Sequence, residues 1–326
     1  MAYSETVLRR AQSRLAQAKA DHEAETNARI QSVYAQYPRL EEIDRAMRRS
    51  VSKAVSVAFR KGEDTTSAIE AIKEENLALQ REREWLLEAN DLEESILEHT
   101  PICPHCSGSG YVGAVMCECL RELCRQEQKK ELSSLLGGKE SFDQFRLDYY
   151  STEPDPQAGV SPRSLMQNTF QRCRRYAREF TAKSPSLLFT GGTGLGKTFL
   201  SACIARTVAD NGFSVVYDTA GKLFADFEAV KFGGDRGELT RKYLECDLLI
   251  IDDLGTEMTT QFTQSALYQV VNSRLMADQP TIISTNLSTE ALRQRYPGPI
   301  ASRLLGSYEL CPFLGADIRQ LRRNFP

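Results

Sequence analysis

Eight residues, Gly191 to Thr198, have the types and spacing of a loop that binds phosphate. They read Gly-Gly-Thr-Gly-Leu-Gly-Lys-Thr and fit G-x-x-x-x-G-K-[ST] without a mismatch. Glycines let backbone N–H groups turn toward anionic oxygens, the lysine reaches the β- and γ-phosphates, and the last hydroxyl binds Mg²⁺. The predicted contacts to a nucleoside triphosphate are Gly191, Gly192, Thr193, Gly194, Leu195, Gly196, Lys197, Thr198 and Phe199.

The elements around this loop are those that such a site needs. The apolar run 187–190 before it predicts a buried strand, and residues 199–205 after it predict a helix. A strand, a glycine loop and a helix N-terminus in that order form a phosphate site. This context favours a phosphate site over the alternative, a glycine-rich turn without a ligand.

Two carboxylates follow a second apolar run. Residues 248–251 are all apolar, and Asp252 and Asp253 come directly after them. A buried strand that ends in Asp places oxygen ligands at the carboxyl edge of a sheet, beside the phosphate loop. We expect Asp252 to hold Mg²⁺ through water, together with Thr198, and Asp253 to polarise the attacking water. A strand followed by an acidic turn is the simpler alternative.

Three more side chains are weaker candidates for phosphoryl transfer. Asn286 ends the apolar run 281–285 and could orient water or touch the γ-phosphate. Arg303 and Arg319 could stabilise the charge that develops during transfer. Strands often end in Asn and most arginines are solvated, so composition alone does not select these three.

Composition restricts the class of protein. The 326 residues carry a net charge of -3, so no general basic field indicates a nucleic-acid partner. No apolar run approaches the length of a membrane span, and the polar N-terminus does not resemble a signal peptide. We therefore expect a cytoplasmic protein without a membrane partner, whose nine cysteines are thiols or metal ligands.

Four of these cysteines have the spacing of a zinc site. Cys103 and Cys106 form C-x₂-C, and Cys117 and Cys119 form C-x-C. Glycines in the ten residues between the pairs allow a hairpin that returns the second pair to the first, and tetrahedral Zn²⁺ takes four such thiolates. The four cysteines are the predicted zinc ligands, with His105 and Cys124 as alternatives for the fourth.

The order of elements predicts an α/β protein with a helical N-terminal region. Charged, alanine-rich residues predict three helices before about position 90, which either pack as a bundle or dock on a partner. Alternating strands and helices from about residue 184 predict a parallel sheet with helices on both faces. The expected divisions are a helical region at 1–100, a zinc segment with its following helix at 101–136, a linker at 137–162 and an ATPase domain at 163–326.

The ordered set of motifs resembles the P-loop NTPase core of the AAA+ superfamily. In that family the positions of the loop, Asp252-Asp253, Asn286, Arg303 and Arg319 are Walker A, Walker B, sensor 1, arginine finger and sensor 2. Two short sequences, Ile-Asp-Asp-Leu-Gly-Thr-Glu at 251–257 and Gly-Ala-Asp-Ile-Arg at 315–319, resemble those of the DnaC/DnaI-type helicase loaders and, more distantly, of the IstB transposition ATPases. The cysteine segment and the aromatic stretch 142–150 resemble loaders of Gram-positive bacteria and their phages.

Two departures from the superfamily affect what the resemblance implies. Asp253 stands where many AAA+ proteins have Glu, which predicts slow hydrolysis. The sequence also ends seven residues after Arg319, so we expect no C-terminal lid, as in the loaders. Without a lid, nucleotide would lie between subunits and Arg303 would act across the interface, which implies a homo-oligomer in the ATP-bound state.

The resemblance also implies partners. Loaders hold a DnaB-type replicative helicase and touch single-stranded DNA with the segment that corresponds to 219–243. Here the predicted DNA-binding residues are Lys231, Arg236, Arg241 and Lys242, whereas Phe224 and Phe227 are expected to be core residues.

The predicted function is therefore an ATP-dependent helicase loader that uses ATP, Mg²⁺ and Zn²⁺. The alternatives are an IstB-like ATPase that assists a transposase and a nucleotide-binding adaptor that does not hydrolyse ATP.

Overall fold

The computed structural model describes residues 3–58, 66–137, 140–233 and 238–324. The chain divides into two compact units. One comprises residues 14–117, and the other comprises residues 1–13 together with 118–326. The first residues of the chain therefore belong to the same unit as the phosphate loop, although the sequence predicts them to be part of a separate helical region.

Three long helices open the chain, as the sequence predicts. They are α1 (Glu5–Gln36), α2 (Pro38–Ala58) and α3 (Thr66–Ala89). Proline is well tolerated in the first turn of a helix, which fits the start of α2 at Pro38. In the unit of residues 14–117, apolar side chains bury one another between these helices and a short 3-10 helix at Glu94–Leu97. They are Ile30, Val33, Tyr34, Leu40, Leu87 and Leu97.

A short hairpin and a fourth helix follow. Strands β1 (Tyr111–Val112) and β2 (Val115–Met116) pair in antiparallel fashion. The hairpin that the glycines predict is thus present. Helix α4 (Glu118–Leu136) begins directly after it.

Five parallel strands form the central sheet of the second unit. They are β3 (Leu187–Thr190), β4 (Val215–Thr219), β5 (Leu248–Leu254), β6 (Thr281–Thr285) and β7 (Glu309–Pro312). Their order across the sheet is β4-β5-β6-β3-β7. This unit also contains α4, and the helices that follow it are α5 (Pro162–Arg178), α6 (Lys197–Asp210), α7 (Ala220–Gly233), α8 (Glu238–Glu245), α9 (Gln261–Met276), α10 (Thr289–Arg295), α11 (Gly298–Gly306) and α12 (Ile318–Asn324).

Helices cover both faces of this sheet. Phe189 and Ile250 belong to one buried cluster, whereas their neighbours Leu188 and Leu249 belong to another. Successive strand residues point to opposite faces, so the two clusters lie on opposite sides of the sheet. The predicted α/β class, a parallel sheet between layers of helices with a helical N-terminal region, is confirmed.

Part of the segment 137–162, which the sequence predicts to be a linker, packs against the sheet unit. Residues Phe142–Gln144 and Leu147–Tyr149 form two 3-10 helices, and Phe145 packs on the core. Tyr150 is 1% exposed, and its hydroxyl donates a hydrogen bond of 2.8 Å to the carbonyl of Leu195 in the phosphate loop. These residues therefore support the loop.

Within the described part of the chain, every helix is too short or too polar to cross a membrane.

Candidate functional site

A cavity of about 380 Å³ lies over the phosphate loop. Its lining includes loop residues 193–199 and four of the six predicted catalytic side chains: Lys197, Asp253, Asn286 and Arg319. The strands β3, β5 and β6 are neighbours in a parallel sheet, so their carboxyl ends meet at the edge where such cavities form. Asp252 and Arg303 are not part of the lining.

Two loop glycines allow residues 313–318 to pack closely against the loop. A Cβ at Gly191 would lie 2.2 Å from the carbonyl oxygen of Phe313, and one at Gly194 would lie 1.9 Å from Oδ1 of Asp317. Gly194 also has a φ of +72°, a conformation that favours glycine. The N–H of Ile318 donates to the carbonyl of Gly194 at 3.0 Å. Glycine is therefore required for this close approach.

The side chain of Lys197 is buried and folds back against the loop residues that precede it. Its Nζ donates to the carbonyls of Gly191 (2.7 Å) and Gly192 (2.6 Å) and to Oδ1 of Asn286 (2.7 Å). Burial lowers the pKa of Lys197 below its usual value, and the nearby Asp253 opposes that shift. The amine thus lies where the loop, β6 and the cavity meet, and Gly191 and Gly192 serve as its acceptors rather than as cavity walls.

Asp252 is held by two hydroxyls. Tyr217 on β4 donates to Oδ2 at 2.8 Å, and Ser284 on β6 donates to Oδ1. The carboxylate is 5% exposed, and burial together with this carboxylate raises the pKa of Tyr217. These two bonds orient the carboxylate of Asp252, which lies outside the cavity lining. Thr198, its predicted partner for Mg²⁺, lines the cavity itself.

Asp253 turns into the cavity because β5 is irregular at this point. The register between β5 and β6 shifts between Ile251 and Leu254, and Asp253 has a φ of +57°. Irregularities of this kind re-aim a side chain, and Asp tolerates the left-handed region better than most residues. The backbone N–H of Asp253 donates to the Ser284 hydroxyl at 3.1 Å, so one serine bonds the carboxylate of Asp252 and the backbone of Asp253.

The two candidate arginines have different surroundings. Arg319 lines the cavity. Arg303, on α11, instead makes side-chain contacts with residues of α9. Its guanidinium donates to Asn272 at 2.9 Å and to the Tyr268 hydroxyl at 3.2 Å, and it lies 4.8 Å from the centre of the Tyr268 ring. Of these two arginines, therefore, Arg319 is the one that can reach a ligand in the cavity of its own chain.

The four predicted zinc ligands come together. The sulfur atoms of Cys103, Cys106, Cys117 and Cys119 all lie within 4.8 Å of one another. The separation of the Cys103 and Cys117 sulfurs is 3.8 Å, which is the edge of a tetrahedron with Zn–S bonds of about 2.3 Å. The donor set and its spacing fit Zn²⁺.

The backbone around these cysteines forms the tight turn that the spacing predicts. The N–H of Ser107 donates to the carbonyl of Cys103 at 2.9 Å, and the N–H of Gly110 donates to the sulfur of Cys106 at 3.3 Å. The alternative ligands are outside the group: neither His105 nor Cys124 belongs to it. Cys124 is fully buried on α4, and burial raises the pKa of its thiol to about 11.

The predicted DNA-binding residues lie on α7 and α8, except Arg236, which is outside the described residues. Lys231 lies over the ring of Phe262, 5.0 Å from its centre. Arg241 is 69% exposed and pairs with Glu245. Phe224 and Phe227 are buried, as expected.

Lys242 differs from the other candidates because it belongs to a buried polar network. Its Nζ pairs with Asp218 at 2.9 Å and with Asp226 at 3.2 Å, and its side chain is 18% exposed. The Tyr243 hydroxyl bonds the same two carboxylates. Burial and these carboxylates raise the pKa of Tyr243, so the tyrosine stays neutral and holds α7 to α8.

Sequence reasoning missed several residues of the cavity. Glu140, Gln144, Phe145, Arg146 and Tyr149 also line it. The density of aromatic residues in 142–150 was the available signal, but nothing in their spacing indicates a cavity. The roles of Tyr217, Ser284 and Asp317 depend on contacts between distant strands and had no signal in the sequence.

A family model described as IstB-like ATP binding protein matches residues 163–303, the stretch that carries the loop, both carboxylates, Asn286 and Arg303. This stretch, which is less than half of the chain, is similar to IstB-like ATP binding proteins. The replicative helicase loader DnaC of Escherichia coli K12 is 27% identical over 127 residues, which are 38% of this chain and 52% of that protein. DnaC of Buchnera aphidicola from Schizaphis graminum is 23% identical over 210 residues, 62% of this chain and 81% of that protein.

A crystal structure of a DnaC helicase loader aligns with a TM-score of 0.46 at 18% identity, over 54% of this chain and 97% of that one. The chain spans about half the length of the E. coli relative. The predicted resemblance of this stretch to DnaC-type proteins is confirmed by the sequence matches.

Proposed function

We propose that the chain is an ATP-dependent loader of a replicative DNA helicase. One observation carries the proposal: Lys197, Asp253, Asn286 and Arg319 converge on a single cavity beside a glycine loop in an IstB-like domain. These are the charges and the amide that phosphoryl transfer needs at its reacting phosphate. The relatives named as replicative helicase loaders supply the biological role.

The residues of the cavity have distinct roles in this proposal. Lys197 exchanges its loop acceptors for the β- and γ-phosphates, and the backbone N–H groups of 193–198 surround the same oxygens. Thr198 and Asp252 hold the hydrated Mg²⁺, with Asp252 aimed by its two hydroxyl partners. Asp253 orients the attacking water, and Asn286 and Arg319 contact the γ-phosphate. Mg²⁺ supplies charge neutralisation when it is bound.

Arg303 completes the site of a neighbouring copy. It does not line its own cavity, and Asn272 and Tyr268 hold it in one orientation. A fixed arginine away from the site of its own chain is suited to act in a partner, which predicts a homo-oligomer when ATP is bound. Sedimentation with a non-hydrolysable ATP analogue should show assembly of the wild-type chain and a monomer for Arg303→Ala.

The N-terminal region is proposed to bind the helicase. Residues 1–100 and the segment 101–136 supply helices and a compact cysteine cluster, which has the ligands and spacing for one Zn²⁺. In this proposal zinc fixes the shape of the segment, and the IstB-like domain reports its nucleotide state to that region.

Single-stranded DNA is proposed to lie along α7 and α8. Lys231 and Arg241 are the stronger candidates among the described residues, because Lys242 is committed to Asp218 and Asp226. Contacts to phosphates release counterions, so affinity should fall as salt rises. Replacing both Lys231 and Arg241 by Ala should weaken binding and reduce its salt dependence, and an unchanged salt slope would remove this surface from the proposal.

The decisive experiment is capture of the host's DnaB-type helicase by the purified full chain, with ATP and without it. Wild-type chain should retain the helicase in a manner that depends on nucleotide, and Lys197→Ala should lose that dependence. ATP binding without any capture of helicase would reject the loader role and favour one of the other ATPase functions of IstB-like domains.

A further inference from the structure

The nucleotide cavity continues beyond the phosphate loop along α6. Its lining includes Glu140, Gln144 and Arg146 and apolar side chains of the same segment and of α6. Glu140 marks the end away from the loop, because its carbonyl bonds Arg206, more than two turns of α6 beyond Lys197. The phosphate groups of a nucleotide would occupy the loop end, which leaves this far end for the base. The polar residues there decide which base is accepted.

Rings and a methyl group form the walls of this far end. Phe145, Tyr149, Phe199 and Ala202 line it. Phe145 is fixed in place, because it stacks on Phe170 with ring centres 5.1 Å apart. Flat, rigid apolar walls of this kind accept an aromatic base and exclude water around it.

Glu140 provides the acceptor in these surroundings. Its backbone carbonyl accepts a hydrogen bond of 3.3 Å from Nη1 of Arg206, which holds Glu140 against α6. Its Oε2 is buried, lies 4.0 Å from Nη2 of Arg206 and has no hydrogen-bond partner within the described chain. Oε1 is the oxygen left for a ligand of the cavity that Glu140 lines, and a carboxylate oxygen acts as an acceptor.

We infer that Glu140 is the residue that selects adenine, by accepting a hydrogen bond from the exocyclic amine of the base. The inference rests on the proposed function and adds a specificity-determining residue to it. A carboxylate opposite a keto oxygen at the same position of the base would meet another acceptor, and that arrangement is unfavourable.

The neighbouring polar residues do not give this selectivity. The amide of Gln144 both donates and accepts, so it can match either kind of base. Arg146 only donates and would favour a keto oxygen, but it lies over the ring of Tyr149 and pairs with Asp148 at 3.4 Å.

The test compares ATP with purine riboside triphosphate, which lacks the amine and carries no group in its place. Because a hydrogen bond to a charged group is involved, wild-type chain should bind ATP about 10- to 100-fold more tightly. Glu140→Gln keeps a neutral acceptor and should give an intermediate ratio, and Glu140→Ala should bring the ratio close to one. Asp143→Ala, an exposed carboxylate of the same segment outside the cavity lining, should leave the ratio unchanged.

A ratio is measured because a merely structural role of Glu140 would change both affinities equally. Equal binding of the two nucleotides by wild-type chain, or an unchanged ratio in Glu140→Ala, would overturn the inference and leave the proposed function intact. Tighter binding of GTP than of ATP would overturn it as well and would point to Arg146. If wild-type chain bound none of these nucleotides, the proposed function itself would fail.

Discussion

The cavity over the phosphate loop and the cysteine cluster are built in opposite ways. The cavity draws its walls from 140–149, 193–199, Asp253, Asn286 and the start of α12, which are far apart in the sequence. The four cysteines lie between positions 103 and 119 and need only one turn and one hairpin to meet. A distributed site requires a complete fold to hold it, whereas a local site can be held by its own ligand.

The packing beneath the two sites supports this difference. The first five residues of β5 and all of β3 and β6 are buried, so the cavity stands on strands with a continuous apolar core. The hairpin strands have two residues each, and their side chains Val112 and Val115 are 52% and 66% exposed. Little apolar burial stabilises the hairpin, so its order should depend on metal binding by the cysteines.

Removing zinc should therefore have the largest effect, and only on one of the two sites. We expect about one Zn²⁺ per chain, and a structural zinc contributes on the order of 10 kcal/mol to the order of its segment. Chelation, or the double substitution Cys103→Ser with Cys106→Ser, should expose the backbone of 101–119 to hydrogen exchange. ATP affinity should change by no more than about twofold, because the cavity rests on the sheet.

A cysteine outside the cluster provides the control. Cys311→Ala removes a buried thiol from β7, and zinc content measured by metal analysis should stay the same. A chain purified without metal supplements that is free of zinc and still protects 101–119 from exchange would contradict the proposed dependence on metal.

The reverse experiment disables the cavity and leaves the cluster intact. Lys197→Ala removes an amine that makes three hydrogen bonds and should weaken ATP binding by roughly 100-fold, the effect of losing a charged hydrogen bond at phosphate. Calorimetry with ATP and Mg²⁺ would measure this loss, and zinc content should be unchanged. Lys183→Ala, on an exposed lysine before β3, should bind ATP normally; equal losses in both variants would reject the role of Lys197.

The same contrast explains how much the sequence could predict. The cysteine cluster follows from spacing within a short segment, and the strands follow from apolar runs, so both can be predicted without a structure. The wall formed by Glu140 and Tyr149 depends on packing between segments that no periodicity connects. The irregularity that turns Asp253 inward arises from pairing between β5 and β6. Ser284, which bonds the carboxylate of Asp252 and the backbone of Asp253, resembles any buried serine until the strands are paired.

A substitution in the loop tests how closely the cavity depends on its last segment. Gly194→Ala would bring a methyl group against Asp317 at a φ of +72°, so the free energy of unfolding should fall by about 2 kcal/mol. The loop would move away from α12, and ATP affinity should fall roughly 10-fold. Gly306→Ala, where a Cβ meets nothing within 4 Å, is the matched control and should not lower stability, as chemical denaturation would report.

The smallest expected effect is a dependence of ATP binding on alkaline pH. Burial lowers the pKa of Lys197, so its charge is lost below the usual value of 10.5, and ATP affinity should fall a few-fold as the pH rises toward that value. Unfolding would not be the cause, because a lysine whose pKa is lower in the folded chain binds fewer protons there, and its deprotonation favours the folded state.

Lys197→Arg keeps its charge across this range and should bind ATP more weakly but without the pH dependence. Zinc should be retained throughout, since thiolates are its ligands. A parallel fall in wild-type and Lys197→Arg chains would assign the pH dependence to another group.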